Sequence, residues 1–432
     1  MKTNTVAANI APHSLRWSRH DSMWVLGIYG TAVSGGTLFL PVSLGLSGFW
    51  PMVILSLLAF PITYIPYRGL ARYVLAGSAG GGKDGNILDT TNEHLGSKWG
   101  KVLIALYFAT VFPSMTIYTI TLTNTIIDFV RTQLGMGDLS RWIVAPVAVF
   151  ALMMLVRHGT TTIIKIMGGI VFPFIVSIVI FGIVAIPHWN PSMFSTAVNF
   201  AGTEKLIMDV WKGIPMLVFA FSFTSITSSF VVAQKRHYGG EATRKVTQIM
   251  SVAVMLIVTT VLFFSWSSIF ALSPEELAQA KASNLTIVSF LARKFDTPAM
   301  AIASQAIVFA AVIKSFLAHY LATEESAKSF GRLVLGLPEE YLTSKAFSRV
   351  LAAFIFAVTT AFAIANFDVF NLIKVALVPV SVFVVYFLPL YAFRKVPILQ
   401  KYKGRLTNVL IAVIGVICLI SGVLAMIDKF SH

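Results

Sequence analysis

Two stretches of this chain carry, in the middle of apolar runs, the residues least suited to a membrane helix. One reads Gly30-Thr31-Ala32-Val33-Ser34-Gly35-Gly36-Thr37. The other reads Phe219-Ala220-Phe221-Ser222-Phe223-Thr224-Ser225-Ile226-Thr227-Ser228-Ser229. Glycine weakens a helix, and so dense a run of hydroxyls cannot all bond back to its own backbone. In lipid, backbone that leaves the helix survives only where it lines a protein cavity. Tight helix packing is the plainer use of glycine in membranes. It explains a single glycine better than the cluster Gly30, Ser34, Gly35, Gly36 and Thr37 with Pro41 close behind. Two such breaks in matching positions of two halves point to the binding site of a transporter.

The rest of the chain fits that setting. It is 56% hydrophobic and 12% charged, with mean hydropathy +0.80, against roughly 45–50% and 25% in soluble domains. Eleven spans are expected, at 24–45, 48–71, 99–130, 141–156, 162–186, 211–234, 244–272, 298–327, 346–366, 369–393 and 406–427. With the N-terminus inside, only Arg131, Arg141, Lys205, Lys212, Lys281, Arg293, Lys294 and Lys429 fall on the outer side. Lys314 and Lys374 lie within spans, and the remainder of the 33 basic residues face inward. That asymmetry orients a membrane protein, so the net charge of +15 is not a nucleic-acid footprint. The first 23 residues are polar and show no small-residue cleavage site, so no removed signal peptide is expected. Cys418, alone in the last apolar run, implies neither a disulfide nor a cysteine metal site.

The expected organisation is a tail (1–23), a five-helix repeat (24–186), a second five-helix repeat (211–393) and one additional helix (406–427). Because each set holds an odd number of spans, the second enters the membrane from the opposite side. This makes an all-α membrane protein with an inverted 5+5 repeat plus one helix. Each set opens with a broken helix. The span 99–130 exceeds the bilayer and must tilt or project. Residues 273–281 read Ser-Pro-Glu-Glu-Leu-Ala-Gln-Ala-Lys. An N-cap serine, proline at the first helical position and two first-turn acids predict a short interfacial helix there.

Other motifs are weaker. Gly77-Ser-Ala-Gly-Gly-Gly82-Lys83-Asp84 nearly spells a phosphate-binding loop, but Asp84 stands where Ser or Thr would hold magnesium. Its place between membrane helices makes it an ordinary loop. Asn284-Leu285-Thr286 is a sequon with meaning only in a secretory context. Enzyme motifs such as HExxH and GxSxG are missing, so an enzyme is not expected. Tyr107, Thr110, Ser114, Thr116 and Tyr118 form a polar stripe that serves either interhelical bonding or a site, with Ser114 and Tyr118 as candidate site residues. Lys314 lies mid-span, where a charge is costly and marks function by default. Out of water an ammonium loses the hydration that stabilises its charge, so Lys314 can cycle between charged and neutral forms. His319, just beyond, is either a coupling partner or a packing histidine. Lys374 has a snorkelling reading toward the outer interface. Glu324 and Glu325 sit at the inner end of their span, as a solvated face or an inner gate partner.

A broken helix pair suits a zwitterion. The N-terminus of a half-helix offers N–H groups to a carboxylate, and the neighbouring half-helix end offers carbonyls to an ammonium. The carboxylate is expected at N–H groups near Gly35, Gly36 and Thr37, and the ammonium near carbonyls of Thr31, Ala32 and Phe219–Phe221, with Ser34 a further substrate-binding residue. Phe219, Phe221 and Phe223 with Ser222, Thr224 and Ser225 would read the side chain.

At these residues the chain resembles the bacterial serine/threonine permeases of the hydroxy and aromatic amino acid permease family. The resemblance runs through Leu15-Arg-Trp-Ser-Arg-His-Asp-Ser-Met-Trp24, Gly30-Thr-Ala-Val-Ser-Gly-Gly-Thr-Leu-Phe-Leu-Pro41 and Thr121-Leu-Thr-Asn-Thr125. It continues through Val218–Phe230, Leu272–Lys281 and Lys314-Ser-Phe-Leu-Ala-His-Tyr-Leu321. It implies the leucine-transporter fold of the amino acid–polyamine–organocation superfamily. It also implies import at the bacterial inner membrane, with the substrate between the first, third, sixth and eighth spans. In that fold the eighth span faces the first break, where sodium-coupled relatives hold a cation. Members usually carry Ile-Gly-Ala-Gly where this chain has Val33-Ser34-Gly35-Gly36, and Phe-Asn-His-Ser-Pro where it has Phe221-Ser222-Phe223-Thr224-Ser225. Near Lys374 they carry an acid.

The expectation is therefore a secondary active importer of serine or threonine, without cofactor or metal, driven by a proton gradient through Lys314 and His319. Its partners are the amino acid, protons and the lipid bilayer, and it acts as a monomer. An aromatic or other neutral amino acid, and sodium coupling, are the alternatives. A membrane amino acid sensor is a remote one.

Overall fold

The computed structural model describes residues 16–78, 85–137, 139–157, 160–198, 202–295 and 297–430. The segment 1–15 and most of the glycine-rich loop, residues 79–84, lie outside the described residues. Among those described there is no β-strand.

The first apolar run folds as α1 (Arg19–Ala32), a 3-10 helix (Gly35–Phe39) and α2 (Leu40–Leu46). Ser18 starts α1 with a reciprocal cap. The Asp21 N–H donates to Ser18 Oγ at 3.3 Å, and the Ser18 N–H donates to the Asp21 carboxylate at 3.0 Å. The helix thus begins inside the stretch expected as a tail. It ends where Val33 turns extended, and the two halves meet at 53°. Gly48, at φ 87°, makes the turn into α3 (Phe49–Ala76). The connection 72–98 is not bare: α4 (Ile87–Leu95) lies in it. Next comes α5 (Ser97–Thr132), of 36 residues. At about 1.5 Å per residue it is far longer than a hydrocarbon core of about 30 Å. Then follow α6 (Arg141–Val156), α7 (Thr160–Ala185) and α8 (Ser192–Val198).

The second half opens with α9 (Thr203–Ala220) and α10 (Thr224–Tyr238), separated by non-helical residues Phe221–Phe223. After α11 (Ala242–Phe270) comes α12 (Pro274–Ala282), the short helix the capping signal predicts. Ser273 and Glu276 form its capping box, and Lys294 pairs with Glu276 at 2.7 Å. Then come α13 (Ile287–Phe295), α14 (Pro298–Leu333), α15 (Glu339–Leu342) and α16 (Lys345–Ala365). The run 369–393 folds as α17 (Val369–Leu372), α18 (Val378–Val382) and α19 (Leu388–Lys395), joined by π-helical turns at Ile373–Leu377 and Phe383–Phe387. Pro379 and Pro389 follow these turns, and a wide turn relieves the clash of each ring with the carbonyl before it. The chain closes on α20 (Leu406–Phe430).

Eight helical stretches among the described residues are long and apolar enough to cross a membrane, nine when the bent pair around Val33 counts as one. α6 is a shorter apolar helix of 16 residues. In the packed core, α14 runs along α5, and α11 packs on α1, α3 and α7. Both breaks lie inside this bundle, away from lipid, as physics requires of irregular backbone.

Candidate functional site

The two breaks face each other. The Thr37 hydroxyl reaches the Ala220 carbonyl at 3.1 Å and the Ala32 carbonyl at 3.3 Å, while accepting from the Ser34 N–H at 3.0 Å. One side chain therefore ties the end of α1, the start of the 3-10 helix and the end of α9. Gly36 makes this approach possible, because a Cβ there would lie 2.3 Å from the Phe219 ring.

The second break is held by a residue the sequence does not single out. Tyr67 on α3 is buried, and its hydroxyl lies 2.9 Å from Ser222 Oγ and 2.8 Å from Thr224 Oγ1. It also accepts the Phe223 N–H at 3.0 Å. Its ring stacks on Phe223 with centroids 3.8 Å apart. The backbone donor and two hydroxyls that the break leaves without helical partners are thus satisfied from one side.

Between the breaks lies a small cavity of about 40 Å³. Of the sequence-predicted residues, Thr31, Ser34, Ser114, Tyr118, Phe219, Ser222, Thr224, Ser225 and His319 line it. Ala32, Gly35, Gly36, Thr37, Phe221 and Phe223 do not. Phe221 and Phe223 are buried, and Phe223 faces Tyr67. The Gly35 N–H donates to Ser315 Oγ at 3.3 Å, and the Thr37 N–H to the Ser34 carbonyl at 3.0 Å. Thr110 joins from the polar stripe of α5; Val111, Leu377 and Ser381 complete the lining and were not anticipated. Leu377 ends a π-helical turn, and Ser381 lies on α18 just beyond it.

His319 Nδ1 lies 2.8 Å from the Ser315 carbonyl, and its ring meets Tyr118 edge-on with centroids 5.2 Å apart. A carbonyl only accepts, so Nδ1 carries the proton of that bond. In the neutral ring Nε2 is then an acceptor.

Lys314 stands outside the cavity, behind the first break. It is 1% exposed, its ammonium donates to the Val33 carbonyl, and its Nζ lies 4.4 Å from the centre of the Phe174 ring on α7. Consecutive residues of α14, Lys314 and Ser315, thus hold Val33 and Gly35 on either side of Ser34. Lys374 sits half-buried in the first π-helical turn.

A second cavity of about 290 Å³ opens on the side where α1 and α5 begin. Tyr107, Ser225, Ser228, Arg236 and Glu325 are among its walls. Ser225 lines both cavities, and the Tyr107 hydroxyl donates to the Ser225 carbonyl at 3.5 Å between them. Glu324 instead pairs with Lys328 at 2.7 Å. On the opposite side Asn284, the sequon asparagine, is buried. Its amide accepts from the Val369 N–H at 3.1 Å and donates to the Phe367 carbonyl at 3.0 Å, so it braces the entry to α17.

A bundle of apolar helices in which two interrupted ones face each other across a polar cavity, with a vestibule on one side, is a membrane transporter of the leucine-transporter type. The crystal structure of MhsT in complex with L-phenylalanine superposes with a TM-score of 0.59 over 96% of this chain and 99% of that one, at 12% identity, a likeness of fold alone. Residues 21–333 match the tryptophan/tyrosine permease family. The serine transporter SdaC of Escherichia coli (strain K12) is 35% identical over 421 residues, 97% of each chain. That of Shigella flexneri is 34% identical over the same share. The chain belongs to the tryptophan/tyrosine permease family and is a multi-pass membrane amino acid permease.

Proposed function

We propose that this protein imports a small zwitterionic amino acid, serine or threonine foremost, across a bacterial inner membrane by proton symport. The observation that carries the reading is the hydroxyl-lined cavity between the two helix breaks, with Ser222, Thr224 and Ser225 on one wall and Ser34 and Thr31 on the other. The substrate carboxylate is assigned to the first break beside Ser34, where the Gly35 N–H must leave Ser315 to meet it, and its ammonium to the carbonyls around Thr31 and Phe219. His319 Nε2 and the Ser222 and Thr224 hydroxyls are assigned to the substrate hydroxyl. The relatives named serine transporters support this substrate. So does the small size of the cavity, about 40 Å³, which suits a small side chain better than a large one. The aromatic alternative draws on the family's description and on the L-phenylalanine held by MhsT. Against it, Phe221 and Phe223 do not line the cavity, whose rings are Phe219, Tyr118 and the His319 imidazole.

Coupling is assigned to Lys314. Its ammonium occupies the junction of the first break and α14, where a bound sodium ion would meet the positive charge of protonated Lys314. Protonated, Lys314 holds the two helices together; neutral, it releases them. The N-terminus is placed in the cytoplasm, so that the larger cavity is the release vestibule and Tyr107 with Ser225 its partition. Eleven spans and a monomer complete the reading.

Binding measured against all twenty amino acids tests the substrate. Serine and threonine are expected to bind most tightly, and a site that took only amines or sugars would overturn the assignment. Binding without uptake into proteoliposomes would make the protein a sensor. Topology reporters at residues 5 and 432 should lie on opposite sides of the membrane.

A further inference from the structure

A groove of about 220 Å³ runs between the start of α5 and the end of the α17–α19 series, lined by Trp99, Leu103, Leu106, Phe383, Phe387 and Tyr391. Its wall is almost wholly apolar, and Trp99 and Phe383 are 45% and 43% exposed on it. α5 starts at Ser97 and α19 ends at Lys395. There the Trp99 and Tyr391 rings meet with centroids 5.2 Å apart. Such aromatic pairs mark the headgroup region of a bilayer.

The charged residues at the start of α5 and the end of α19 are basic. Lys98 precedes Trp99 on the first turn of α5, and Arg394 and Lys395 lie one turn beyond Tyr391; all three are exposed. None of them shares in an ion pair among the described residues. The helix start at Ser97 adds the positive end of a long dipole. Basic clusters between membrane helices at the headgroup level recruit anionic lipids. An acyl chain is the apolar body such a groove accepts from the bilayer.

The geometry points to a binding site for an anionic phospholipid, its acyl chain in the groove between α5 and α19 and its phosphate on Lys98, Arg394 and Lys395. The site reaches the transport machinery through one element. The π-helical turn Phe383–Phe387 walls the groove, while Leu377 and Ser381 of the same series line the central cavity. It does not depend on which amino acid is carried.

Native mass spectrometry of the purified full chain in micelles holding equal phosphatidylglycerol and phosphatidylcholine tests it. The wild type is expected to retain phosphatidylglycerol preferentially. Lys98→Gln with Arg394→Gln should lower that retention roughly thirtyfold, from the contribution of two basic residues near a membrane surface. Leu106→Trp, which fills the groove and keeps every charge, should lower it as well. Lys345→Gln with Arg349→Gln removes equal exposed charge from α16 and should leave it unchanged. Equal loss in the α16 pair, retention insensitive to Leu106→Trp, or equal retention of the two lipids would overturn the site.

Discussion

The ammonium of Lys314 donates to the carbonyl of Val33, where α1 stops. A helix C-terminus carries the negative end of its dipole and unpaired carbonyls, so it is a natural seat for a cation. The side chain reaches it from α14, and Ser315 beside it takes the Gly35 N–H. One pair of residues therefore clamps both edges of the first break, and the charge on one of them sets the strength of the clamp.

The tight meeting of Gly36 and Phe219 makes the first prediction. In Gly36→Ala the new methyl would lie 2.3 Å from the ring, so the contact between the first break and Phe219, which lines the cavity, must shift. Overpacking of this kind costs about 1–3 kcal/mol. Serine affinity is expected to fall about tenfold, read by equilibrium binding. Unchanged affinity would show that Phe219 does not shape the site.

Tyr67 separates ring stacking from hydrogen bonding. Tyr67→Phe keeps the stack on Phe223 and leaves the Phe223 N–H and the Ser222 and Thr224 hydroxyls short of a partner. Such unmade bonds cost about 1–3 kcal/mol. Thermal unfolding should show that loss, and the preference for serine over alanine should narrow as the two hydroxyls lose their orientation. A lowered melting temperature with an unchanged serine-to-alanine ratio would make Tyr67 purely structural.

Where α1 begins, Asp21 and Lys245 form an ion pair of 2.8 Å with both side chains fully buried. Tyr238 donates to the same carboxylate at 2.6 Å. Lys245→Met strands the carboxylate, and breaking a buried pair costs about 3–5 kcal/mol. Asp21→Asn combined with Lys245→Met removes both charges and should be markedly less destabilised. Equal melting temperatures for the single and double variants would contradict a pair that matters through its charge.

The breaks at Ser34 and Ser222 could be read in the sequence because lipid forbids irregular backbone without a purpose, and α12 because its capping residues act locally. Lys314 stood out because its charge is mid-span. Tyr67 did not, since an aromatic on a long apolar helix looks like packing until the broken backbone it serves is placed beside it. Phe223 was expected in the cavity. The backbone at the break, φ −130° and ψ 34°, accompanies a ring stacked on Tyr67 instead. Leu377 and Ser381 enter the cavity by way of a π-helical turn that no hydrophobic period announces. α4, α8 and α13 are too short to register as apolar runs.

Proton-driven uptake by Lys314→Met in proteoliposomes tests the central claim most directly. Methionine keeps the length and apolar stem of lysine and removes the proton that the cycle needs. With an inward proton gradient and no sodium, the wild type is expected to accumulate serine above its external concentration. Lys314→Met should exchange or equilibrate serine without accumulating it, at any pH gradient. Normal gradient-driven accumulation by Lys314→Met, or a wild type that accumulates serine only when sodium is present, would contradict the account.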